Sequence, residues 1–66
     1  MSVAKTIEIV ATSKKSFEDA VKVGVAKAAE SLANITGAWL MDQSVGVTKG
    51  KVTEYRVRMK LTFVLK

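Results

Sequence analysis

Trp39 is the single tryptophan of the chain, and Arg56, Arg58 and Lys60 recur at every second position a short way downstream. A tryptophan offers a flat apolar surface on which another ring can stack, and cations at alternate positions of an extended segment share one face. The ring could hold a planar ligand, and the cations an anionic one. Six side-chain carboxylates, Glu8, Glu18, Asp19, Glu30, Asp42 and Glu54, are the available hard ligands for a cation. Calcium takes about six to eight oxygens, and no Asp-x-Asp-x-Asp-Gly loop supplies them locally. A metal site would have to combine Asp42, Glu54 or Glu8 with carbonyls and waters across copies of the chain; otherwise these residues are solvated strand charges.

Other chemistry is excluded by residue type. With no Cys and no His, the chain has no disulfide, thiol nucleophile, zinc finger, haem ligand or imidazole base. No Gly-x-Ser-x-Gly elbow is present, and the chain is expected not to be an enzyme. Gly46-Val47-Thr48-Lys49-Gly50-Lys51 ends in Gly-Lys, but Val52 stands where a phosphate loop needs Ser or Thr and a strand follows instead of a helix. A single-strand nucleic-acid binder interleaves aromatics with its basic row. Tyr55 and Phe63 have the opposite parity to Arg56, Arg58 and Lys60, so no nucleic-acid partner is expected. The expected uses of the row are ion pairs between subunits with Glu8, Glu54 or Asp42, or the lining of an oligomer's surface or cavity.

The elements that must carry these residues follow from length and patterning. Sixty-six residues make one domain, residues 1–66, and 48% hydrophobic content is too high for a disordered chain. No run approaches the roughly 20 apolar residues needed to cross a bilayer, and the opening Met1-Ser2-Val3 has no secretory n-region, so no membrane partner and a cytoplasmic location are expected. Eleven Lys and Arg against six Asp and Glu give a net charge of +5, which favours anionic partners.

Val3 to Ala11 reads as a first strand around the β-branched Thr6-Ile7-Glu8-Ile9-Val10, ended by the polar turn Thr12-Ser13-Lys14-Lys15. Ser16 caps a helix, with Glu18 and Asp19 placed to suit its positive end. Phe17, Val21, Gly24 or Val25, Ala28 and Leu32 form its apolar stripe, and it should run to about Ala33. Gly24 in mid-helix implies close approach of a neighbouring element. Asn34 to Gly37 breaks the pattern, Ala38 to Val47 reads as a second strand, and Thr48 to Lys51 as a hairpin turn. In the third strand Tyr55, Val57, Met59, Leu61, Phe63 and Leu65 alternate strictly with Arg56, Arg58, Lys60 and Thr62, which separates a core face from a wet one.

The resulting α+β fold, β-α-β-β, is expected to form an antiparallel sheet of order 1-3-2 curled against one helix. From Val52 to Leu65 the third strand would span about 45 Å, against a diameter of about 28 Å for a compact chain of this length. The strand must bend or serve a neighbour. A domain this small without disulfide or zinc commonly gains stability by association, so a homo-oligomer is expected.

This arrangement resembles the dodecins, βαββ chains that assemble twelve at a time into a hollow shell and commonly bind flavins. The resemblance covers nearly the whole chain and rests on three stretches: Lys5 to Ser13, Ser16 to Ala20, and Gly50 to Val57 closing with Lys60 to Leu65. It implies a homododecamer that stores or sequesters a small-molecule ligand, a flavin such as FMN, riboflavin or FAD, at subunit contacts.

The family's flavin-stacking Trp corresponds to Gly37 and its hydrogen-bonding Gln to Arg56, a pattern similar to the dodecins that lack the Trp and bind calcium. Trp39 lies two residues past Gly37, on the same strand face if the strand is regular. The resemblance therefore implies a relocated site in which Trp39 is the stacking plane beside Gly37, with Gln43 and Arg56 as polar partners. Its alternative is a non-flavin shell that binds calcium or serves a structural role, with Trp39 in a core or subunit interface.

Overall fold

The computed structural model describes residues 3–65. The chain runs β1 (Val3–Ser13), α1 (Phe17–Ala29), β2 (Ile35–Thr48) and β3 (Lys51–Leu65), with β3 central in an antiparallel sheet of order β1-β3-β2. This is the β-α-β-β arrangement read from the sequence. Directly paired residues on antiparallel strands share a face, so the register sorts the side chains. Ile7, Ile9 and Ala11 lie across from Leu61, Met59 and Val57 on the face that α1 covers. There Ala11, Ala20, Val57, Met59 and Leu61 form the core, ringed by Ile7, Ile9, Phe17, Val21, Val25, Ala28 and Ile35.

The helix begins where the capping residues predict. The Asp19 backbone N–H donates to Ser16 Oγ at 2.9 Å, and Ser13 Oγ donates to Asp19 Oδ2 at 2.6 Å, which ties the end of β1 to the first turn of α1. Gly24 is buried because strands approach it closely: a Cβ there would lie 2.6 Å from Met59 Cε and 2.8 Å from Ala11 Cβ. Phe17 meets Tyr55 edge to face with centroids 5.1 Å apart.

Several boundaries move. The helix ends at Ala29 rather than Ala33, because Glu30 and Ser31 donate to the carbonyls three residues back and Asn34 then turns left-handed at φ 64°. β1 gains Thr12 and Ser13, which pair with Arg56 and Tyr55. β2 starts at Ile35, since Ile35 and Gly37 pair with Phe63 and Thr62 around an extra residue at Thr36. The hairpin closes on Lys49 and Gly50, both with positive φ, the two-residue geometry that matches strand twist. Leu65, assigned to the core face by parity, is 49% exposed.

The long third strand does not fold back on itself. The chain measures 52 × 20 × 14 Å with a radius of gyration of 13.6 Å, against about 11 Å for a compact chain of this length. Helix α1 packs over β1 and β3 and barely reaches β2. The helix-side face of β2 is thus left open, with Leu40 and Val45 exposed.

Candidate functional site

The sheet face turned away from α1 carries the side chains with chemistry. Along β3 it presents Arg56, Arg58, Lys60 and Thr62; β1 sets Thr12, Val10 and Glu8 across from the first three, and β2 sets Ser44, Asp42, Trp39 and Gly37 across from all four. Gly37 and Trp39 share this face, as a regular step of two residues requires. Trp39 is 70% exposed, so it is no core residue of its own chain. A Cβ at Gly37 would meet nothing within 4 Å, which leaves the sheet beside the indole open.

The ion pairs on this face are specific. Arg58 Nε donates to Asp42 Oδ2 at 3.1 Å and its Nη2 donates to the same oxygen. That hydrogen bond, followed by the attraction of Asp42 and of Glu8, raises the Arg58 pKa above its ordinary value. Arg56 Nη2 donates to Glu54 Oε2 at 3.0 Å. Lys60 lies between Glu8 on β1 and Trp39 on β2 and makes no salt bridge among the described residues. Side chains directly opposed on antiparallel strands sit roughly 5 Å apart at Cβ, which makes Lys60 and Trp39 cross-strand neighbours.

The expected ligand residues are therefore not all neighbours. Gln43 pairs with Val57 and lies on the helix side of the sheet, not beside Trp39, because Met41 is an extra residue that shifts the register between Leu40 and Asp42. Arg56 is four residues from Lys60, roughly 14 Å along β3, so in one chain it stands away from Trp39. Of the proposed metal ligands, Asp42 and Glu54 are held by Arg58 and Arg56, and Glu8 sits across from Lys60, six positions along β3 from Glu54. Among the described residues no group of three or more Asp or Glu is arranged to hold a metal ion.

Tyr55 lies on the helix side, as parity predicts, but the basic face is not without an aromatic, because β2 delivers Trp39 to it. The residue that sequence reasoning passes over is Lys60. It is visible as one of the basic row; that it lies across from Trp39 depends on the inter-strand register, which no periodicity within one strand reveals. A separate concavity of about 480 Å³ lies between Ile9–Thr12 of β1 and Val23, Gly24, Lys27 and Ala28 of α1, and none of the expected site residues lines it.

Comparison with known proteins places the chain among relatives of the same shape. The family model described as Dodecin matches residues 3–66. The calcium dodecin of Mycobacterium tuberculosis is 36% identical over 67 residues, covering 100% of this chain and 93% of that protein. An arginine-to-alanine mutant of the Thermus thermophilus dodecin superposes with a TM-score of 0.94 at 26% identity, covering 100% of this chain and 98% of that one. A crystal structure of the Mycobacterium tuberculosis calcium dodecin, described as a calcium-chelating antigen with a novel calcium-binding site, gives 0.85 at 33% identity over 98% and 93% of the two chains.

Proposed function

The chain belongs to the dodecin family, and from that premise we propose that it assembles as a homododecamer that sequesters a flat flavin-type ligand on Trp39 at subunit contacts, without transforming it. The observation that carries this reading is the 70% exposed indole, seated on a cationic sheet face beside the open position of Gly37. An indole left in water on a strand that faces Lys60 and Arg58 is a stacking plane awaiting a second ring. Arg56 and Gln43 do not adjoin Trp39 within the chain, so they join the site only when a second copy contributes them. Association also accounts for the surface: the chain exposes 4861 Å², against roughly 4,100 Å² for a globular monomer of its mass.

The experiment is titration of the assembled protein with riboflavin and FMN while Trp39 fluorescence is followed. The reading expects saturable quenching; a flat response contradicts it.

A second reading is favoured by the 36% identity to a calcium dodecin: a shell in which Glu8, Asp42 and Glu54 bind calcium across copies. It requires Asp42 and Glu54 to leave Arg58 and Arg56. Calorimetry with calcium chloride tests it, and an absence of binding heat at millimolar calcium contradicts it.

A further inference from the structure

We infer that residues 42–46 of β2 form a register switch: two opposed bulges hold this stretch one residue out of step with both ends of its strand, and release of Asp42 from Arg58 lets it slide into a bulge-free pairing that changes which side chains the cationic face offers. The inference concerns the sheet itself and stands apart from the reading of Trp39 as a ligand platform.

Counted up from the hairpin, Thr48 pairs with Lys51 and Leu40 with Met59, eight residues on in each strand, so these two parts of the β2–β3 ladder share one register. Between them the pairing departs from it. Thr53 is an extra residue on β3, between Val52 and Glu54, and Met41 is an extra residue on β2, between Leu40 and Asp42. Residues 42–46 lie between the two bulges, opposite residues 54–58. One bulge undoes the shift made by the other. A slide of the stretch by one residue therefore removes both, without moving Trp39 from Lys60 or the turn from Lys49 and Gly50. It also turns every side chain of the stretch to the opposite face.

Specific contacts hold the bulged register. Arg58 bonds Asp42 through two nitrogens, Val45 lies opposite Tyr55 on the helix side, and Thr53 Oγ1 donates to the Gly46 carbonyl at 3.2 Å. The bulge brings β3 close to Gly46, where a Cβ would lie 2.8 Å from Glu54 Cγ. In the slid register Asp42 would lie opposite Val57, which is fully buried, and a carboxylate at the margin of the core is unfavourable. The ion pair and that penalty both belong to the Asp42 charge, so Asp42 decides the balance. Against it stand two bulges, each of which leaves a residue unpaired in the ladder.

The two registers give the face different chemistry. In the bulged one β2 sets Asp42 and Ser44 across from Arg58 and Arg56. After the slide it sets Met41, Gln43 and Val45 across from Arg58, Arg56 and Glu54, an amide and two apolar side chains in place of a carboxylate and a hydroxyl. The first surface offers hard oxygens to a cation, and the second offers an amide and apolar area to a planar heteroaromatic. Register thus sets which ligand class the face accepts.

The chain contains no cysteine, so paired cysteines report the register without background. Ser44→Cys with Arg56→Cys share a face only in the bulged register, and Gln43→Cys with Arg56→Cys only in the slid one; cysteines on opposite faces cannot meet disulfide geometry. Both reporters lose Arg56, so its pair with Glu54 drops out of the comparison. The assembled proteins are oxidised with oxidised glutathione, and closure is read as the loss of two hydrogens from the single-chain mass. The 44–56 pair should close faster. Adding Asp42→Val should raise the 43–56 rate about fivefold, the scale of one exposed ion pair, and lower the 44–56 rate. Gly46→Ala, which leaves every charge in place, should shift both rates in the same directions. A rise in both rates would mark a frayed strand and overturn the inference, as would rates that neither substitution moves. Faster closure of the 43–56 pair before any further substitution would overturn the bulged register itself.

Discussion

Trp39 is the residue on which the functional reading turns, and its substitution separates ligand binding from assembly. Trp39→Ala should abolish flavin binding as read by a second reporter, such as flavin fluorescence itself, while native mass shows the oligomer intact. Dissociation of the particle would instead make the indole an interface residue. Arg58 acts differently. Its raised pKa means that the guanidinium keeps its proton past its ordinary value, so the charge that meets Asp42 is lost only as pH climbs beyond the raised value. Arg58 thus stays charged and engaged throughout the neutral range, and it contributes no pH dependence to binding there. Gly24 is the clearest structural residue. Gly24→Ala gains about 1 kcal/mol of helix propensity, but its Cβ would press on Ala11 Cβ at 2.8 Å and Met59 Cε at 2.6 Å. Overpacking of that kind costs about 1–3 kcal/mol, so the variant should melt below the wild type in a calorimeter. A higher melting temperature would contradict the close approach of α1 to β1 and β3.

At the scale of elements, the strict alternation from Tyr55 to Phe63 and the Ser16 cap place β3 and α1 from the sequence, and the β-α-β-β succession of elements leads to the 1-3-2 order. The capping claim has a direct check: Ser16→Ala leaves the Asp19 N–H without its 2.9 Å acceptor and should lower stability by about 1 kcal/mol, read as a lower thermal midpoint in circular dichroism. Periodicity is silent in β2. The sequence there has no clean period because Thr36 and Met41 are extra residues, and each flips the parity of the residues after it. Gly37 and Trp39 fall between the two and keep their shared face, whereas Gln43 falls beyond Met41 and crosses to the helix side. The partnership of Lys60 with Trp39 is hidden for the same reason, since cross-strand register is a tertiary property. Apolar spacing over-extends helix α1 because Leu32 continues the stripe. The bonding of Glu30 and Ser31, not side-chain type, ends the helix.

At the scale of the whole molecule, a chain 52 Å long whose sheet is covered by one helix of 13 residues cannot shield both faces of that sheet. Leu40, Val45, Val47 and Val52 remain exposed in a single chain alongside Trp39. A core of this size seldom contributes more than about 3–5 kcal/mol, so dilution should destabilise the protein if copies share those surfaces. Thermal midpoints are therefore expected to rise with protein concentration, and an invariant midpoint across a dilution of about a hundredfold would argue for a self-sufficient monomer. The most direct test of the account is native mass spectrometry of the protein titrated with FMN, because one spectrum reports assembly and occupancy together. The account predicts particles of twelve 7.1 kDa chains that gain mass in flavin increments, with the increments lost in Trp39→Ala. A monomer, or a dodecamer that takes up no flavin, would contradict it.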